Sequence, residues 1–110
     1  MKLSREEEIW LRAYCDELKK QLPGQIDRLS VFGSKARGKT HLESDLDILV
    51  IINSENASQK REARRIGYFL AADGKVIPSI IAYSRQEWDR RKSSGSSFRR
   101  AVERDEVRIL

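Results

Sequence analysis

Apolar residues recur at helical spacing near the start of the chain. Leu11, Cys15, Leu18 and Leu22 stand four, three and four residues apart, which puts them on one stripe of a helix. Ile9, Trp10, Ala13 and Tyr14 widen that stripe, and the spacing predicts a helix over 4–22. Ser4 with Glu7 three residues on forms a capping box. Glu6, Glu7 and Glu8 suit the positive end of the helix dipole, Lys19 and Lys20 the negative end, and Pro23-Gly24 stops the element. The pattern then changes. Residues 26–32 predict a strand, strongest at Leu29-Ser30-Val31-Phe32 and ended by Gly33-Ser34. Residues 34–44 are polar without a hydrophobic period, so a short helical turn from Ser34 and then a loop are expected. Residues 45–52 predict the clearest strand. Leu46, Ile48 and Val50 occupy one face and Leu49 and Ile51 the other, so both faces are apolar beyond Asp47. Such a strand belongs in the middle of a sheet covered on both sides.

Residues 55–72 predict a second helix, polar at first and apolar at Ala63, Ile66, Gly67, Phe69 and Leu70. Asp73-Gly74 is a turn. Residues 76–83 predict a third strand, in which Pro78 demands an edge position, a strand start or a bulge. Ser84 caps a short helix that carries Glu87 and Trp88. Residues 93–97 form a loop too short for a domain linker. Ser97 caps a last helix over 98–104, and residues 107–110 suit a terminal strand.

A length of 110 residues supports one domain, 1–110, that buries roughly two-thirds of its unfolded surface. The longest apolar run, Ile48 to Ile52, is five residues, far short of a membrane span. The first eight residues carry both signs of charge and lead into no apolar segment, so no secretory signal is expected. Cys15 is the one cysteine, which excludes an internal disulfide and a cysteine-based zinc site. Its place on the helix stripe makes it a small buried hydrophobe, and the cytoplasm is the simplest compartment. The net charge of +5 is unevenly spread: residues 1–53 hold nine basic and nine acidic side chains, residues 54–110 thirteen and eight. The excess suggests an anionic partner or an arginine-rich solvated surface.

The candidate chemistry lies at Gly33-Ser34 and, after ten intervening residues, Asp45-Leu46-Asp47. A strand that runs into Gly-Ser and a short helix presents free backbone N–H groups to an anion. Glycine lets a phosphate approach the backbone, and the Ser34 hydroxyl can donate to a phosphate oxygen. Asp45 and Asp47, two apart on a strand, leave the same face with Cα atoms roughly 6.5–7 Å apart. That span suits two oxygens converging on one Mg²⁺, or bridging a metal pair. Hard oxygen ligands beside a phosphate cradle indicate metal-assisted phosphoryl or nucleotidyl transfer. Two carboxylates on an otherwise apolar strand are costly without a cation or donors.

The run FGSKARGKTHLESDLDILV resembles the signature of the minimal nucleotidyltransferases of the DNA polymerase beta superfamily. GKVIPSIIAYSRQEW and the closing SSFRRAVERDEVRIL are similar to that family's tail. The resemblance implies an α/β (α+β) fold, with a mixed sheet flanked by helices, and an NTP, ATP favoured, with Mg²⁺ as ligands. It implies phosphate binding by Gly33 and Ser34, with Arg37 matching the arginine of the Gly-Ser-x-x-Arg-Gly run, and metal binding by Asp45 and Asp47. Many such proteins are similar to the antitoxin partners of HEPN-type toxins, and some transfer AMP to the partner. The expected function is therefore nucleotidyl transfer to a partner protein, the alternative an antitoxin that acts by binding its toxin. The family's third carboxylate falls by register at Ser79, which is neither a base at neutral pH nor a good Mg²⁺ ligand.

Other residues carry less. His41 reads as a solvated loop residue, and Lys35 and Lys39 as triphosphate contacts or exposed side chains. Arg85, Arg90, Arg91, Lys92, Arg99 and Arg100 make the last third basic. That surface admits nucleic acid without favouring it, because little aromatic character accompanies the charge. A homo-oligomer is compatible with the sequence.

Overall fold

The computed structural model describes residues 1–38 and 45–110. The expectations for Lys39, His41 and the rest of the loop over 39–44 fall outside those residues. Helix α1 spans Arg5–Gln21 behind the Ser4 cap, with both hydrogen bonds of the capping box in place. Strand β1, Ile26–Phe32, leads directly into α2, Gly33–Ala36. Strand β2, Leu46–Ile52, is followed by α3, Ala57–Leu70, and β3, Pro78–Ser84. Helices α4, Arg85–Ser93, and α5, Ser97–Asp105, precede the short β4, Val107–Arg108. Ser96 rather than Ser97 caps α5, its hydroxyl accepting from the Arg99 N–H. None of the described helices is long and apolar enough to cross a membrane.

The strands form one mixed sheet in the order β3-β2-β1-β4. β1 pairs antiparallel with β2 and β4, while β2 and β3 run parallel through the α3 crossover. β2 is interior, as its two apolar faces require. Leu46, Ile48, Val50 and Ile52 pack with Trp10, Tyr14, Leu18, Ala63 and Ile66 of α1 and α3. Leu49 and Ile51 pack with Trp88 and Val102 of α4 and α5. Pro78 opens the edge strand β3, where no ladder donor is needed. Two further groups close that edge: the Tyr68 hydroxyl accepts from the Ile80 N–H at 3.0 Å, and Glu87 accepts from the Ser84 N–H at 2.9 Å. An edge so covered resists pairing with another chain.

α1 and α3 are joined by aromatic donors as well as apolar contact. The Tyr14 hydroxyl donates to the Ala63 carbonyl at 2.6 Å, and the Trp10 indole N–H to the Gly67 carbonyl at 3.0 Å. Gly67 makes this approach possible: a Cβ there would run into the Ile80 side chain and stand 3.1 Å from the Tyr14 ring. Two apolar residues leave their predicted stripes. Ile9 and Phe69 are exposed, because the α1–α3 seam is narrower than their spacing allows. Tyr14→Phe should cost about 1 kcal/mol, the net value of one hydrogen bond. Tyr14→Ala should cost about 3–5 kcal/mol, the range for emptying an aromatic site. Urea denaturation of both variants measures the difference, and equal losses would mean the ring fills no essential space.

Candidate active site

Asp45 lies just ahead of β2 and is exposed; Asp47 is its second residue and half-buried. Asp47 is paired across the sheet with Phe32 of β1 and Ser79 of β3. The strand alternation puts Asp47 on the α4–α5 face with Leu49 and Ile51. The carboxylate therefore sits where β1 turns into α2.

Gly33 fills that turn with φ at +75°, a backbone conformation that side chains disfavour. A Cβ at Gly33 would fall on the Asp47 carboxylate, whose Cγ would be 3.2 Å away. Both backbone and space therefore demand glycine. Helix α2 also differs from its neighbours at its start. Ser4, Asn56, Ser84 and Ser96 each cap a helix with a side-chain oxygen, whereas the α2 N-cap, Phe32, makes no side-chain hydrogen bond. Its first N–H groups have no helical partner by construction, and they start beside Asp47. Ser34 is half-buried in the same turn.

Arg37 follows α2 and joins Asp105, at the end of α5, through Nη1–Oδ2 at 3.0 Å. It remains partly exposed and is close enough to act on Asp47. Burial pushes the Asp47 carboxyl above its ordinary value, the charge of Asp45 adds to that rise, and Arg37 opposes it. Burial is thus the chief cost of charge on Asp47, and Arg37 offsets only part of it. Among the described residues, no group of three or more acidic, cysteine or histidine side chains comes together for a metal. Ser79 stands level with Asp47 on the neighbouring strand, and Ile81 and Tyr83 share its face. Glu87 is engaged elsewhere, with Lys60 at 2.7 Å and in the Ser84 cap.

Several expectations change. Lys35 is neither exposed nor beside the Asp pair: it is buried and bound to Glu7 of α1 at 2.7 Å. Local spacing offered no sign of a partner 28 positions away. Arg99 is not part of a solvated basic surface. It is buried, lies over the Trp88 ring, donates to the Trp88 carbonyl and pairs with Glu103 at 3.0 Å. Arg85 pairs with Asp27. Among the described residues, Arg90, Arg91, Lys92 and Arg100 remain without a carboxylate partner.

The nucleotidyltransferase domain model matches residues 11–102, and the chain belongs to that family, as its resemblance to the minimal nucleotidyltransferases of the DNA polymerase beta superfamily implied. A chain in the crystal structure of a mutant of the toxin–antitoxin pair MntA–HpeT has a similar fold. The match covers 97% of this chain and 73% of that one, at 15% identity and a TM-score of 0.58. That mutant carries two aspartate-to-glutamate substitutions two positions apart. No curated protein matches the chain at a significant level.

The raised carboxyl has a measurable sign. A carboxyl raised in the folded state contributes stability that is fully present below its unfolded value, 3.8 for Asp, and is lost as pH rises through the folded value. Without metal, Asp47→Asn should therefore melt higher than wild type at pH 7. That advantage should fade as pH falls toward about 3, where Asp47 is itself neutral. Melting curves in EDTA across that range test it; a variant less stable at pH 7 would contradict the account.

Proposed function

We propose that this domain, spanning 1–110, is a Mg²⁺-dependent nucleotidyltransferase that takes an NTP, ATP favoured, and modifies a partner protein. The observation that carries the reading is the contact between the Gly33 turn and the Asp47 carboxylate. An uncapped helix start, a glycine with no room for a side chain and a half-buried carboxylate held above its ordinary value converge at one end of β2. The donor set fits the metal: two aspartates supply hard oxygens, and their mutual repulsion and the partial burial of Asp47 favour a cation. Asp45 and Asp47 would hold Mg²⁺. Bound there, it would neutralise and orient the phosphates of the nucleotide. Gly33 admits a phosphate to the backbone, the Ser34 hydroxyl donates to it, and Arg37 offers a guanidinium within reach of the same charge.

The partner is inferred from two sources, the resemblance to antitoxins of HEPN-type toxins and the fold shared with the MntA–HpeT pair. The chain would be the antitoxin of such a pair, working in the cytoplasm with Cys15 as a free buried thiol. A second reading has its own observation. Ser79 is level with Asp47 where the family supplies a third carboxylate, which favours an antitoxin that acts by binding its toxin with little turnover. Mg²⁺-dependent ATP turnover in the presence of the partner separates the two.

Calorimetry with Mg²⁺ and ATP tests the site itself. Wild type should bind, and Asp45→Asn/Asp47→Asn should lose at least about tenfold in affinity, the scale of one lost charge-assisted contact. Equal affinity would remove Asp45 and Asp47 from the site. In the same series Ser79→Asp should melt lower than wild type in EDTA, because like charges repel. It should gain a larger Mg²⁺-induced rise, because the ion binds the folded site. An unchanged Mg²⁺ response would take Ser79 out of the site.

A further inference from the structure

Helix α2 has four residues, Gly33–Ala36, too few to hold its own shape in water. It has no capping side chain at its start, and its last turn closes through the Arg37 N–H to the Gly33 carbonyl at 3.2 Å. Contacts from elsewhere must fix it. One lies on the Asp47 side, where Gly33 meets the carboxylate. The other lies on the α1 side. There the Lys35 side chain is buried against Glu7 of α1.

Lys35 Nζ meets Glu7 Oε2 at 2.7 Å, and the two side chains are 9% and 8% exposed. The other oxygen of Glu7 accepts from the Ser4 N–H at 2.9 Å. A single carboxylate thus closes the α1 cap and holds α2. The Lys2 N–H adds a bond to the Lys35 carbonyl at 3.0 Å, and Ala36 beside it is part of the core. A buried ion pair is weak evidence for stability, since a neutral pair of like size often serves the fold as well. What it provides here is a fixed direction.

We propose that Glu7 and Lys35 are positioning residues that set the Gly33–Ser34 turn against the Asp47 carboxylate. The anchoring half of this inference stands on the geometry alone; the functional half rests on the nucleotide-site reading above. Neither residue touches the reacting groups, and the Lys35 charge is spent on Glu7, not on phosphate.

The test is the double variant Glu7→Gln/Lys35→Met in the full chain. Both charges go, the volumes stay close, and Gln still offers Ser4 an acceptor. The variant should melt within a few degrees of wild type. The amides of Arg37 and Gly38, which donate to the Gly33 and Lys35 carbonyls, should exchange at least about tenfold faster, while those of β2 and β3 do not change. Affinity for Mg²⁺-ATP should fall by about tenfold or more. Lys35→Arg, which retains the pair, should restore both values. Glu7→Asp retains both charges but shortens the reach by one methylene. It should show the same pattern more weakly, and serves if the double variant fails to fold. Turn amides as protected as in wild type would overturn the proposal. So would a loosened turn that binds nucleotide as tightly as a binding-competent wild type. A loosened turn in a chain whose wild type binds no Mg²⁺-ATP would support the anchor and refute the nucleotide reading.

Discussion

At the end of β1 the backbone turns so close to the Asp47 carboxylate that only glycine fits, and the rest of the arrangement follows from that approach. Gly33 holds φ at +75°, and a Cβ there would occupy the space of the Asp47 side chain. The turn can stand so near because Phe32 and Asp47 are paired across two antiparallel strands. The pairing brings a helix start and a carboxylate together. A strand apolar on both faces must be interior, so Asp47 is flanked by β1 on one side and β3 on the other. Its neighbours are consequently fixed in register: Phe32 and Ser79.

The two faces of the sheet divide the work. α1 and α3 close one face through an aromatic seam, in which Trp10 and Tyr14 reach carbonyls of α3 while burying their rings. α4 and α5 close the other, where aromatic rings run from Tyr83 through Trp88 and Phe98 to Phe32. That chain of rings ends one residue before Gly33. The site is thereby supported from both sides: by Lys35 and Glu7 toward α1, and by Phe32 and the Arg37–Asp105 pair toward α5. The nucleotidyltransferase family model matches residues 11–102, a span that includes this site.

Much of this was legible in the sequence, and for local reasons. The capping box at Ser4 and the cap at Ser84 depend on residues within one helical turn, and both are formed, the second also as a capping box with Glu87. Strand alternation at 46–52 announced a covered interior strand, and register carried Ser79 level with Asp47. The aspartate pair and the Gly-Ser turn were visible because each chemistry needs residues close in sequence. What sequence hid was long-range and electrostatic. Lys35 looked like a solvent or phosphate lysine until Glu7, on another helix, was beside it. Arg99 looked like part of a basic face, yet it stacks on Trp88 and is buried. Ile9 and Phe69 obey helical spacing but fall outside a seam whose width is set by Gly67. The Ser96 cap differs from the expected Ser97 because adjacent serines offer the same chemistry one position apart.

The central claim is that Gly33 is glycine so that a carboxylate and a bound phosphate can share its space. Gly33→Ala measures it most directly, read by calorimetry with Mg²⁺-ATP and by amide spectra of the strands. The account predicts a folded protein, with shifts confined to the turn and the start of β2, that has lost at least about a hundredfold in nucleotide affinity, since the added methyl displaces both Asp47 and the phosphate. A folded Gly33→Ala that binds Mg²⁺-ATP as wild type does would contradict it.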